Sequence, residues 1–198
     1  MQALGRATGF SPLSLLVETD QPFRNQQGCH AGRAPDHPTR KALLIGIRYE
    51  KGRWPKRSKG SMDLGVVPHK EVQAWRNILI QYYGYREDEI ICMQDTEHCG
   101  RDLWPSKENI LAQLDNLVRG VRHDDRRFLF SHGGQLACTS DQTELDGRDE
   151  ILYTLERNKK TCKIIKDNDL RRILADNLPP GANLTASLPK SLTMASIR

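Results

Sequence analysis

No hydrophobic run in this chain is long enough to cross a membrane. The longest, LSLLV at residues 13–17 and ALLIGI at 42–47, fall far short of the roughly 20 apolar residues that span a bilayer. The opening MQALGRATGFSPLSLLVETD lacks the charged start, long apolar centre and small-residue cleavage site of a secretory signal, so a cytoplasmic or nuclear location is expected. Paired cysteines are also missing. The five cysteines (Cys29, Cys92, Cys99, Cys138 and Cys162) are odd in number and contain no C-x-x-C pair, which reads as free thiols in a reducing compartment. Cys92, His98 and Cys99 have a spacing that fits no common zinc site. No G-x-S-x-G elbow and no phosphate-binding glycine loop occurs, which sets aside an α/β-hydrolase or a nucleotide-binding protein of that kind.

The net charge is +5, and the one dense basic cluster is KGRWPKRSKG at 51–60, with Trp54 inside it. Such a cluster can touch phosphates. Glycine and proline break it and no helical or strand period presents the charges, so a solvated loop is the expectation and no nucleic-acid partner is assigned. Residues 1–39, rich in Gly, Pro, Gln and Arg, read as a flexible arm.

From residue 40 the texture changes. KALLIGI is a continuous apolar run, as in a strand buried on both faces. HKEVQAWRNILIQYYGY predicts a helix with Val72, Trp75, Ile78, Leu79 and Tyr82 on one stripe and Gly84 as its stop. EIICM is a second strand. PSKENILAQLDNLVRG is a second helix, capped by Ser106, with Ile110, Leu111, Leu114, Leu117 and Val118 inward and Gly120 at its end. RRFLFS is a third strand, stopping at His132. DEILYTL and CKIIK predict a hairpin. DNDLRRILADNL predicts a third helix, with Leu170, Ile173, Leu174 and Leu178 inward and Asp167 or Asp169 capping, and ANLTASL could begin a further strand. Alternating strands and helices predict an open α/β fold with a mostly parallel sheet covered on both faces. Reactive groups in such sheets lie past the carboxyl ends of the strands. His132 is placed there, although a loop histidine near a strand end is more often structural.

In order, KALLIGIRY, GYREDEIICMQD, SKENILAQLDNLV, FLFSHGGQ, ELDGRDEILYTL, IIKDNDLRRIL and LPPGANLTA resemble the fungal metacaspases, caspase-like cysteine peptidases, over about residues 40–186. The resemblance implies a caspase-like sheet and cleavage after Arg or Lys. It also implies a histidine at the end of the third strand acting with a cysteine at the end of the fourth, and in many members a need for calcium. His132 takes the histidine position. Glu71, in PHKEV, stands where the family places a substrate-facing Asp; its alternative role is a negative charge opposing the helix dipole in the first turn. Asp149 and Asp167 match calcium-binding carboxylates, while Lys166 stands where some members have another Asp and opposes metal binding. A weak or absent calcium site is therefore expected.

The chain also departs from the family pattern. Ser131 precedes His132 directly, where the family has Ser-Gly-His, and one residue of register can turn a side chain to the other face of a sheet. No cysteine follows Cys162, so the nucleophile is absent and inactivity is expected. An ungapped count puts Ser191 at its place, in flanks that do not match. Cys138, six residues past His132, is a remote substitute. Residues 40–187 read as a partial caspase-like domain and 188–198 as a divergent tail. Unless NLTASL pairs with the third strand, that strand becomes an exposed edge, which favours marginal stability and association with itself or another chain. The function expected is that of a caspase-like endopeptidase domain lacking catalytic competence. The alternative is a non-catalytic protein that pairs with full-length relatives and modulates them.

Overall fold

The computed structural model describes residues 14–16, 37–50, 63–138, 148–157 and 163–188. A five-stranded sheet runs in the order β1-β8-β4-β2-β3. Its members are β1 (Ser14–Leu16), β2 (Arg40–Gly46), β3 (Ile90–Gln94), β4 (Arg126–His132) and β8 (Asn183–Ser187). β8, β4, β2 and β3 are parallel, and β1 pairs antiparallel with β8. Three further strands, β5 (Gly134–Cys138), β6 (Arg148–Tyr153) and β7 (Ile164–Lys166), form a separate antiparallel sheet. This is the mostly parallel α/β architecture that the alternating pattern predicts.

Alternation along β2 and β4 divides the core in two. Ala42, Leu44, Phe128 and Phe130 pack on one face with Val72, Leu79 and Trp75 of α1 (Val67–Tyr83). Leu43, Ile45 and Leu129 pack on the other. Their partners there are Ile110, Leu114 and Leu117 of α2 (Lys107–Val118) and Leu170 and Leu174 of α3 (Asp167–Leu174). Each helix buries an apolar stripe against a sheet whose central strands are covered on both sides.

The helix ends follow their local chemistry. Gly84 adopts φ 67°, which lets the chain reverse so that the Tyr85 N–H reaches the Leu79 carbonyl at 3.0 Å. The Ser106 hydroxyl accepts from the Asn109 N–H at 3.3 Å and caps α2. Two readings need correction. Tyr82 is 77% exposed, because the last turn of α1 has passed the sheet it packs on. At α3 the N-cap position belongs to Lys166, with no side-chain cap, and Asp169 lies beside Arg172 of its own helix instead.

The conditional reading of the third strand resolves in favour of pairing. β8 lies beside β4 with Phe130 opposite Ser187, so β4 is interior to the sheet. Within the stretch read as a flexible arm, Ser14–Leu16 lies along the outer edge of β8.

The amino end of the sheet is fastened by a buried ion pair. Arg127 Nη2 lies 3.2 Å from Asp125 Oδ2. The same guanidinium donates to the Leu117 and Thr39 carbonyls, and Asp125 accepts from the Thr39 and Arg122 N–H groups. Burial alone would raise the Asp125 carboxyl, but these donors and the Arg127 charge hold it below the ordinary carboxylate value.

Candidate functional site

The carboxyl ends of β2, β3 and β4 meet at one end of the sheet. β4 alternates, so His132 follows Phe128 and Phe130 onto the α1 face, while Ser131 follows Leu129 to the other. Ser131 is buried, and its hydroxyl has no hydrogen-bond partner among the described residues. His132 lies opposite Gly46 in the β2–β4 register, and its carbonyl accepts from the Ile47 N–H at 3.2 Å. The backbone of this histidine is therefore part of the ladder and not of a loop.

Across from it stands α1. The Nδ1 atom of His132 is in contact with Oε2 of Glu71. The imidazole is largely covered, with 12% of its side chain exposed, against 35% for Glu71. Glu71 is the fifth residue of α1, and no acidic residue lies in the first turn. The alternative role in opposing the helix dipole therefore does not apply. Gly46 permits this approach. A Cβ there would lie 2.6 Å from the Pro68 carbonyl oxygen and 2.8 Å from Val72 Cγ2, so its absence lets α1 settle onto the strand end.

The turn after His132 is held by Tyr49. Its hydroxyl lies 2.6 Å from both the Gly133 and Tyr153 carbonyl oxygens, tying β4, β6 and the end of β2 together. Gly133 has φ 145°, and a Cβ there would lie 2.7 Å from that hydroxyl. Only glycine suits both the backbone and the space. Beside this, Asp95 is fully covered. It accepts from the Arg48 N–H at 2.9 Å and the Tyr49 N–H at 3.2 Å, and lies 2.7 Å from His69 Nε2. Tyr49, His69 and Asp95 are not singled out in the sequence. The available signal was positional: Asp95 directly follows β3, where polar groups of an open α/β site collect.

The family model described as Metacaspase, peptidase C14 domain, matches residues 40–191. The chain belongs to the metacaspase family. It is 37% identical over 150 residues to Metacaspase-1 of Eremothecium gossypii, covering 74% of this chain and 30% of that protein. It is 34% identical over 169 residues to Metacaspase-1 of Yarrowia lipolytica, covering 84% and 34%. To Metacaspase-1 of Schizosaccharomyces pombe it is 34% identical over 149 residues, covering 74% and 32%. This metacaspase chain thus spans about a third of the length of the curated relatives it matches. In fold it is similar to the crystal structure of protein GSU0716 from Geobacter sulfurreducens. The TM-score is 0.50 at 12% identity, covering 74% of this chain and 48% of that one. Among the described residues no helix is long and apolar enough to cross a membrane.

The remaining metacaspase positions are placed as follows. Asp149 lies in β6 opposite Ala137 of β5, and Asp167 opens α3; their side chains are outside the described residues. β6 and β7 put Ile151 opposite Lys166, so the backbone brings the two aspartates near each other with Lys166 beside them. Cys138 ends β5, so it sits in a strand. Its side chain, Ser191, Cys29, Cys162 and the basic loop at 51–60 are outside the described residues. Cys92 packs with the α1-side core and Cys99 with the opposite one, which separates the two thiols. Burial pushes the Cys92 thiol up, against a smaller pull from Arg76.

Proposed function

We propose that this chain carries the histidine half of a caspase-like cysteine endopeptidase site that cuts after Arg or Lys, and that its 198 residues alone hydrolyse no peptide. The observation that carries the reading is the placement of His132. It sits at the carboxyl end of an interior parallel strand, with its imidazole against a carboxylate and its backbone held in the ladder with β2. With Phe130 opposite Ser187, β8 ends two residues short of the level of His132. A thiolate presented at that level would attack the scissile carbonyl, and the imidazolium would return the proton to the departing amine. No cysteine occurs in the sequence after Cys162. The test is cleavage of an Arg-terminated fluorogenic peptide by the folded protein, with and without calcium, beside His132→Ala. Equal signals are expected. Turnover that disappears in the variant would overturn the inactive half of the proposal and direct attention to Cys138 and Ser191.

A second reading is favoured by the outer edge of β8, which already accepts an antiparallel strand from Ser14–Leu16. A strand from another chain would pair there in place of Ser14–Leu16, by the same backbone hydrogen bonds, making this a non-catalytic partner of full-length relatives. Binding to an active relative by a chain that cleaves nothing would support it; no binding would exclude it.

A further inference from the structure

The family resemblance gives Glu71 to the substrate, but the geometry gives it to the histidine. We propose that Glu71 is a positioning residue for His132. Its carboxylate accepts the Nδ1–H, holds the neutral imidazole in that tautomer, leaves Nε2 as the ring's basic nitrogen, and is thereby withheld from the basic side chain of a substrate. The inference rests on the reading of His132 as the histidine of the peptidase site.

Three observations carry it. First, the contact is between Glu71 Oε2 and His132 Nδ1. An ionised carboxylate only accepts, so the proton lies on Nδ1 and the neutral ring's lone pair on Nε2. Second, both partners are fixed independently of each other. His132 is held by the β2–β4 ladder through Gly46 and Ile47. The α1 backbone is held against β2 by the close approach of Pro68 and Val72 to Gly46. The side chains meet because the backbones are set, which is the arrangement that orients a base. Third, length matters. An aspartate at position 71 would be one methylene shorter, about 1.5 Å, and would leave the ring out of hydrogen-bond reach. Glutamate at this position is thus a change of partner as well as of size. A group that orients a histidine through Nδ1 fixes which nitrogen can take a proton from a nucleophile.

The experiment is nitrogen-15 NMR of the histidine side chains of the whole chain, read in the neutral-ring state. His132 is assigned by its loss in His132→Ala, and the His69 ring, which rests on Asp95, is the internal reference. The proposal expects His132 to be mainly the Nδ1–H form. Glu71→Ala should convert it mainly to the Nε2–H form that free imidazole side chains favour, and so should Glu71→Asp. Glu71→Gln should retain the Nδ1–H form, since an amide oxygen also accepts, and His69 should be unchanged throughout. A mainly Nε2–H ring in the wild type, or the same ring state in wild type and Glu71→Ala, overturns it. Amide exchange of β4 separates this result from misfolding, and Ala at this helical position is favourable in itself. The measurement needs no turnover. Its failure leaves the peptidase reading standing, and failure of the peptide assay leaves the tautomer result intact.

Discussion

Replacing Gly46 with alanine puts a methyl group into the seam between β2 and α1. Its carbon would lie 2.6 Å from the Pro68 carbonyl oxygen and 2.8 Å from Val72 Cγ2. An ordinary carbon–oxygen contact is about 3.3–3.6 Å, so α1 must withdraw by roughly 0.7–1.0 Å at its first turn. The Pro68 oxygen is backbone and cannot rotate away. Over-packing of this kind costs about 1–3 kcal/mol, partly offset by roughly 0.5–1 kcal/mol from the removed backbone freedom of glycine. Gly46 is absent from the positive-φ residues, so alanine brings no strain at that torsion. From the middle of these ranges the net expectation is a loss of about 1 kcal/mol, or a fall in Tm of roughly 2–4 °C for a chain of this size. The withdrawal also carries Glu71 away from His132, which lies opposite Gly46. The assay is urea unfolding with the slope compared, together with the His132 ring state. A Tm within 1 °C of wild type would refute the claim that this glycine sets the seat of α1, as would lost stability with the His132–Glu71 contact intact.

Other outcomes follow from the same geometry. Arg127→Ala leaves Asp125 buried without its cation, a loss of about 3–5 kcal/mol, which thermal unfolding would show as a drop on the order of 10 °C. Because Asp125 is held below the ordinary carboxylate value, its contribution to stability is fully present above about pH 3.9. It is lost as pH falls through the lowered folded value. Asp125→Asn should therefore be less stable at neutral pH and lose less on acidification, as read by unfolding curves against pH. The Cys92 thiol, raised by burial, should alkylate with iodoacetamide more slowly than a free cysteine at neutral pH. Labelling at an equal rate, read by mass spectrometry, would contradict its place in the α1-side core.

What was legible in the sequence was what local chemistry controls. Ser106 and Gly120 bracket α2 because capping and a left-handed stop act over three or four residues. KALLIGI reads as a central strand because both faces of β2 are buried, so no polar residue interrupts it. Tyr82 was misassigned because periodicity records which residues share a helix face but not where the sheet beneath that face ends. β5 was not read as a strand. Gly134–Cys138 gains its pairing only from β6, across a stretch whose separation the sequence does not reveal. The site divides in the same way. His132 was legible from its place after an apolar run. Its contact with Glu71 joins positions 61 apart and exists only because Gly46 lets α1 close on β2. Tyr49 and Asp95 act on backbone groups brought in by other strands, and no local pattern marks them.

The central claim is that β4 and α1 of this chain deliver a histidine ready to act once a cysteine is supplied level with it. The most direct measurement fuses residues 1–187 to the segment that follows the corresponding strand in Metacaspase-1 of Eremothecium gossypii. The folded chimera is then assayed on an Arg-terminated fluorogenic peptide. The account predicts turnover that His132→Ala abolishes. A folded chimera that cleaves nothing, or one whose activity survives the loss of His132, would contradict it.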